Sequence, residues 1–463
     1  MRENIILYTR KISFTLLLIT VFFAPIFLFP KISLDAHTVL AKQYFVAFSS
    51  YLLLFFFIFS LFFTKNIVIT KPVILILIFA FLTFLSSFNS VNIVFSIIEA
   101  LLSFSIIIFF FFTYYLTDDI KSIKKILSMV ILSALTISII GILQYFGYDI
   151  LRFLFRYIIT EEERRFKILA TLGNPDYLAG YITPIIIIII SCMLTVKKFS
   201  SFFLLLVISL ILILTLLFTE SRANLLGLII GIIILFFFFY RYSKELPLFK
   251  YFNQNQVKYI GIVLVILVVI GSLLFITVYK STVISRMKEL LSFKIVSGHK
   301  ERSIFYILAN EMIFDHPFLG VGVGMYKIEY TNYIEKLSMN PSLHNSFDNI
   351  LKSYPETIAE HTHNDFLEIW AERGTPTFLI FIYVLVLFFY NVYNFTKEKN
   401  LSPQRRFFAI GLILSMLCYL LHAMVNFPFH SPERALLFWI ILSLGFRLTE
   451  LKLPSLDNRN SQT

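Results

Sequence analysis

FFLLLVISLILILTLLF (Phe202–Phe218) carries no charge, meets the short turn Thr219-Glu-Ser-Arg222, and gives way to a second apolar run, Ala223–Tyr240. Each run falls within the roughly 17–25 residues that take an α-helix across a hydrocarbon core of about 30 Å. Barrel strands would alternate polar and apolar residues over about ten positions, and no such alternation is seen. Two antiparallel membrane helices joined by a polar turn are the reading that leaves no backbone group unpaired in lipid.

The same pattern extends in both directions. Upstream lie Ile12–Phe29, Tyr44–Phe63, Pro72–Phe88, Ile93–Leu116, Ile126–Phe146 and Tyr177–Val196; downstream lie Tyr259–Tyr279, Thr375–Tyr393, Phe407–Met424 and Ala435–Leu448. The expectation is an all-α polytopic membrane protein of about twelve transmembrane helices. Composition agrees: of 463 residues 58% are hydrophobic, 55 are Phe and only 15% are charged, against about 25% charged in soluble domains. Residues 1–279 hold nine spans, 280–374 form a long extracytoplasmic loop, and 375–463 hold three spans and a cytoplasmic tail. A positive lead (Arg2, Arg10, Lys11) precedes the first run, but Pro25 and Phe29 stand where a small-x-small cleavage site would be. An uncleaved first span is expected.

The net charge of +12 is not spread like a nucleic-acid footprint. With the N-terminus inside, Lys65, Lys71, Lys121, Lys124, Lys125, Lys197, Lys198, Arg241, Lys244, Lys397, Arg405 and Arg406 all fall in cytoplasmic connections. This is the positive-inside pattern, with both termini cytoplasmic; it needs a bilayer and no nucleic acid. Cys192 and Cys418 both fall inside spans and read as small packing residues rather than a disulfide.

Two outside loops are long, Gly147–Asp176 and Lys280–Gly374, and the second holds His299, His316, His344, His361 and His363. A loop of that length without structure of its own is rare. Lys300–Phe314 reads as a helix with Ile304, Ile307, Leu308 and Met312 on one face and Arg302 elsewhere. Asp315-His316-Pro317 ends it, and Gly320, Gly322 and Gly324 make a turn. Asp365–Arg373 reads as a second short helix, with Asn364 as its cap and Gly374 as its stop.

His363 therefore stands just ahead of a helix N-terminus at the membrane surface, a position that favours the neutral, base-competent ring. It also reads as an ordinary solvated loop histidine. Ser221-Arg222 opens a span with Ser221 as its cap, so a helix N-terminus and a guanidinium coincide there, a natural anion site. Arg222 reads equally as an interfacial anchor, and Arg302 as one charge on an exposed face. Leu172-Gly-Asn-Pro175 opens another span, with Asn174 before a first-turn proline. His361 with His363 makes a poor metal pair, since no spacing supplies further ligands, and no metal site is expected. Gly320-Val-Gly-Val-Gly324 lacks the buried strand of a dinucleotide fingerprint. Glu99, Gln144 and His422 lie toward the outer ends of spans, as polar cavity residues or as bonds between helices.

Four of these motifs, in this order, resemble the O-antigen ligase and polymerase superfamily of bacterial membrane glycosyltransferases. The pattern His-Asn-x9-Gly-x2-Thr is met by His363, Asn364, Gly374 and Thr377. Asn310–Tyr326 resembles the family's helix and Pro-Leu-Gly-x-Gly turn, Thr171–Gly180 its Gly-Asn-Pro segment, and Glu220–Gly227 its Ser-Arg segment. One departure is Phe305, where the family often has tryptophan. The resemblance implies transfer of a preassembled glycan from an undecaprenyl-diphosphate carrier to a hydroxyl acceptor at the outer face of the bacterial inner membrane. The acceptor would be lipid A-core in a ligase, a growing glycan in a polymerase, or a protein hydroxyl in an O-oligosaccharyltransferase. His363 would be the general base, with Arg222 and Arg302 on the diphosphate and Ser221, Asn174, Asn364, Gly320 and Gly322 lining the substrate. A diphosphate is already a good leaving group, so neither metal nor cofactor is expected. A lipid or solute transporter is the reading from another class; it predicts an inverted repeat and mid-membrane charges, of which only Glu99 qualifies.

Overall fold

The computed structural model describes residues 2–28, 34–61, 69–151, 168–245, 297–339 and 360–451. Among these there are thirteen α-helices and no strand. In chain order they are α1 (Arg2–Phe23), α2 (Leu34–Leu61), α3 (Lys71–Ser86), α4 (Ile93–Leu116), α5 (Ile120–Tyr145), α6 (Pro175–Met193) and α7 (Phe199–Phe218). There follow α8 (Arg222–Tyr242), α9 (Ser297–Asp315), α10 (Tyr326–Ser338), α11 (Asp365–Thr396), α12 (Pro403–Ala423) and α13 (Pro432–Glu450). Ten are long and apolar enough to cross a membrane. The protein is a multi-pass membrane protein. Of the twelve expected spans, Ala435–Leu448 falls in α13, whose ends carry Glu433, Arg434, Arg447 and Glu450. Tyr259–Tyr279 lies outside the described residues.

Burial sorts the helices into centre and rim. In α6 every residue from Leu178 to Ile189 is buried, and in α13 every residue from Pro432 to Phe446. A helix apolar all round and enclosed all round belongs at the centre; α6, α12 and α13 form it, with α12 packed along both α6 and α8. By contrast α7 buries only Ile208, Ser209, Leu212, Thr215 and Leu216, and turns Leu204, Leu210 and Leu214 outward. Lipid is as apolar as leucine, so close backbone approach rather than hydrophobic transfer holds such helices together. Gly227 and Gly231 of α8 supply that approach: Cys418 Sγ of α12 donates to the Gly227 carbonyl at 3.2 Å, and a Cβ at Gly231 would meet that sulfur at 3.1 Å. Cys418 is thus the small packing residue expected, and both cysteines are free.

Charges gather at one end. Arg10 of α1 pairs with Asp118 just past α4, and Arg447 of α13 donates to the Thr117 carbonyl at 2.7 Å. At the other end of α4, Ser96 Oγ donates to the Val323 carbonyl at 2.9 Å and Asn89 Nδ2 to the His316 ring at 3.2 Å. The described part of the long loop, with α9 and α10, therefore caps the end opposite Asp118.

That cap is fixed by a break in α11. Pro376 has no N–H to offer the Glu372 carbonyl, and Gly374 leaves the helix at φ 75°, ψ 169°, a region open essentially to glycine alone. The freed carbonyls are taken by the glycine turn: Val321 N–H bonds Ala371 O and Gly322 N–H bonds Glu372 O, both at 2.9 Å, while Thr375 N–H bonds Pro317 O at 2.8 Å. A short helix ending at Gly374 followed by a span from Thr375 is what the sequence predicts. The α9 helix spans the expected Lys300–Phe314, but Ile307 is exposed and Phe305 takes its place on the buried face with Ile304, Leu308 and Met312.

A Cβ at Gly374 would meet the Phe318 carbonyl oxygen at 2.2 Å. Gly374→Ala is expected to lose at least about 1–3 kcal/mol from backbone strain alone, read as a lower melting temperature of the detergent-purified protein. An unchanged melting temperature would remove this contact from the account of the fold.

Candidate active site

His363 sits where three elements converge. It follows Thr362, whose Oγ1 accepts from Asn364 N–H at 3.0 Å, and this tight turn holds His363 at φ 56°. Asn364 then opens α11 as expected: its Oδ1 accepts from Phe366 N–H at 3.0 Å and Leu367 N–H at 3.3 Å. The side chain satisfies two of the amides a helix start leaves unpaired. The strained turn aims the His363 ring away from the helix, between Phe305 of α9 (stacked, centroids 5.9 Å apart) and Phe427 (edge-on, 4.9 Å).

Arg302 lies one turn before Phe305 on the same side of α9 and is half-buried. Burial, and then the Arg302 guanidinium, push the His363 imidazole down to about 4. The ring is neutral at pH 7, and its Nδ1 is buried with no hydrogen-bond partner among the described residues. The Arg302 charge is thus felt at the His363 ring.

The Gly-Asn-Pro segment arrives from the other side. Asn174 Oδ1 accepts from Asp176 N–H at 2.8 Å, Pro175 begins α6, and the Asp176 charge is felt at His363. Next to it, Tyr177 packs edge-on against Phe427 at 5.8 Å. Gln144 anchors the approach, its Oε1 accepting from Leu169 and Ala170 N–H at 3.2 and 2.6 Å. Glu99 packs against Gly324 of the glycine turn, so its place is outside His363's surroundings.

Ser221 stands at the expected cap position but does not cap α8. It is buried, and its Oγ accepts from Asn224 Nδ2 at 2.9 Å, the same amide that reaches His422 Nδ1 at 3.1 Å. An adjacent side-chain donor thus takes the oxygen that would have served the backbone. Arg222 is exposed at the start of α8 with no ion pair to a described residue. Gly320 and Gly322 are scaffold: a Cβ would meet the Glu372 carbonyl carbon at 2.3 Å from the first and Ser90 Cβ at 2.4 Å from the second.

Two groups of residues escaped the sequence reading. Arg434, wholly buried, lies 4.0 Å over the Tyr177 ring, with Nη2 on Ser431 Oγ at 2.6 Å and Nε and Nη1 without hydrogen-bond partners. Its signal was visible as Glu433-Arg434 abutting an apolar span, a place where ionisable residues carry function. The second group surrounds His361. Its Nδ1 meets Glu368 Oε1 at 2.7 Å, and His430 lies between Asp365 Oδ1 and Glu368 Oε1, each at 3.1 Å. Burial opposes a charge on His430, but the Glu368 and Asp365 carboxylates outweigh it and raise the imidazole to about 9. The expectation that no further ligand stands near His361 and His363 is therefore corrected. The companions of His361 come from α11 and from the turn before α13, at spacings no local pattern encodes.

Residues 207–382 match the family model described as O-Antigen ligase. This stretch is similar to the O-antigen ligase family. It contains Arg222, Arg302, the glycine turn and His363-Asn364, while Asn174, Phe427, His430 and Arg434 lie beyond it. The family indicates a membrane glycosyltransferase of the O-antigen ligase and polymerase type. No curated protein matches the chain.

Asn364→Ala in this ligase-family segment is expected to cost about 0.5–2 kcal/mol, seen as a lower melting temperature, with Asn364→Asp close to wild type. Equal melting temperatures for all three would deny Asn364 its capping role.

Proposed function

We propose that the protein ligates a preassembled glycan, carried on undecaprenyl diphosphate, to a hydroxyl of lipid A-core at the outer face of the bacterial inner membrane. The observation that carries this reading is a half-buried His363, its imidazole held neutral by burial and by the Arg302 guanidinium, stacked on Phe305. Glycan transfer needs a base and a cation side by side, and the likeness of residues 207–382 to the O-antigen ligase family supports the reaction class.

In this reading the acceptor oxygen forms a bond to the anomeric carbon as the bond from that carbon to the diphosphate oxygen breaks. Undecaprenyl diphosphate departs with its electron pair, and the acceptor proton passes to the His363 imidazole. A ring that is neutral at pH 7 is ready to take it. Arg302 lies where negative charge on the diphosphate grows, and electrostatic stabilisation of a leaving group is worth most in a water-poor site. Arg222, exposed at the start of α8, adds a second guanidinium on the donor's path, backed by the helix N-terminus. Asn364 orients the histidine turn and Asn174 the opposing α6 entrance. Gly320 and Gly322 enter as scaffold rather than as donor contacts.

Deleting the gene is expected to leave surface glycan unattached and carrier-linked polymer accumulating, with rescue by wild type but not by His363→Ala at equal membrane levels. The purified variant should turn over about 10²–10⁴-fold more slowly. Near-normal transfer by His363→Ala would end its assignment as the base, and single-repeat products or lost protein glycosylation on deletion would move the acceptor to a growing glycan or a protein.

Arg222→Lys keeps the charge but loses the planar fork that grips two phosphate oxygens at once. Transfer at saturating acceptor should fall with a raised KM for the lipid-linked donor, whereas wild-type kinetics would return Arg222 to an interfacial anchor.

A further inference from the structure

Beside the His363 site, three ligating atoms from separate parts of the chain converge. His361 Nδ1, Glu368 Oε1 and His430 Nε2 all lie within 4.8 Å of one another. Glu368 Oε1 is 2.7 Å from the first and 3.1 Å from the second imidazole nitrogen. The two rings face each other with centroids 4.2 Å apart, so their nitrogens turn toward one point beside the carboxylate.

Two imidazoles and one carboxylate make a donor set of intermediate softness, suited to zinc and its neighbours rather than to magnesium or calcium. Zinc bonds to nitrogen and carboxylate oxygen are about 2.0–2.2 Å. Three atoms this close therefore need only small side-chain rotations to share one ion.

The surroundings are those of a ligand shell. A metal-bound histidine ordinarily donates its other ring N–H to a carboxylate, which fixes the ring and its tautomer. His430 does this through Nδ1 to Asp365 Oδ1 at 3.1 Å, and Asp365 is itself held by Phe429 N–H at 3.0 Å. Glu368 is oriented in the same way: Oε2 accepts from Thr362 N–H at 2.8 Å and Thr362 Oγ1 at 3.0 Å, which leaves Oε1 pointing at the histidines. Glu368 is 1% exposed, while each histidine side chain keeps 21% of its surface. The site is closed behind the carboxylate and open on the imidazole side, where an ion can enter. Three protein ligands leave one coordination position for water.

We propose that His361 Nδ1, Glu368 Oε1 and His430 Nε2 bind a divalent transition-metal ion of the zinc type, with Asp365 and Thr362 orienting the ligands. The ion joins the approach to α11 to the turn before α13 and fixes the backbone two residues ahead of His363. It stands independently of the glycan-transfer reading, because its test counts metal and not product.

The full chain, freed of any affinity tag, is stripped with chelator in detergent, given zinc, and separated from free ion by gel filtration before elemental analysis. One zinc per chain is expected, and Co²⁺ in its place should give the visible absorption of a four-coordinate ion. Glu368→Gln and His430→Ala should lose stoichiometric binding, Asp365→Asn should weaken it by about 10–100-fold, and His363→Ala should retain it. Wild-type protein that takes up less than a tenth of an ion and gives no cobalt band would overturn the site, whatever the variants do. Zinc held as tightly by the ligand variants as by wild type would overturn it as well.

Discussion

The cap formed by α9 and α10 depends on one close approach, the glycine turn Gly320–Gly324 laid against the end of the first segment of α11. Each backbone occupies the space a side chain would need on the other. The contact exists because Pro376 interrupts the helix and leaves carbonyls that lipid cannot satisfy and the turn can. Through it α9 is held beside the start of α11, and Arg302 and Phe305 are brought to His363. Without that seam His363 and Arg302 would belong to segments with no reason to meet.

The bundle beneath makes this irregularity tolerable. Non-helical backbone at membrane depth needs cover from protein, and here the breaks lie at the ends of α6, α8 and α11, above the enclosed α6–α12–α13 centre. The polar groups at this end form short chains of contact, Ser221 to Asn224 to His422 and Asp365 to His430 to Glu368 to His361. The first chain adds polar links between α8 and α12, which also pack through Gly227 and Cys418, and the second ties the start of α11 to the turn before α13.

What could be read from the sequence divides by range. Helix existence was legible because apolar runs such as Phe202–Phe218 have one stable solution in lipid. So were the Pro175 first turn, the Asn364 cap and the Gly374 break, since the residues that cause them are adjacent in the chain. Ser221 failed as a cap because its oxygen found Asn224 instead. Ile307 failed as a core residue because the buried face of α9 is turned toward Phe305, which stacks on His363. Arg434 was hidden by drawing its span from Ala435 onward. His430 lay 67 positions from His363 in the chain, and only the fold of α11 against α13 brings its neighbourhood together.

Phe427 touches more of this region than its single ring implies. It packs on His361 at 4.5 Å, on His363 at 4.9 Å and on Tyr177 at 5.8 Å. Two imidazoles with different surroundings thus share one hydrocarbon partition, and the ring beneath Arg434 leans on the same partition. Water reaching either histidine past Phe427 changes the local dielectric for both. The two histidine environments, distinct in their hydrogen bonds, are mechanically one compartment with a common wall.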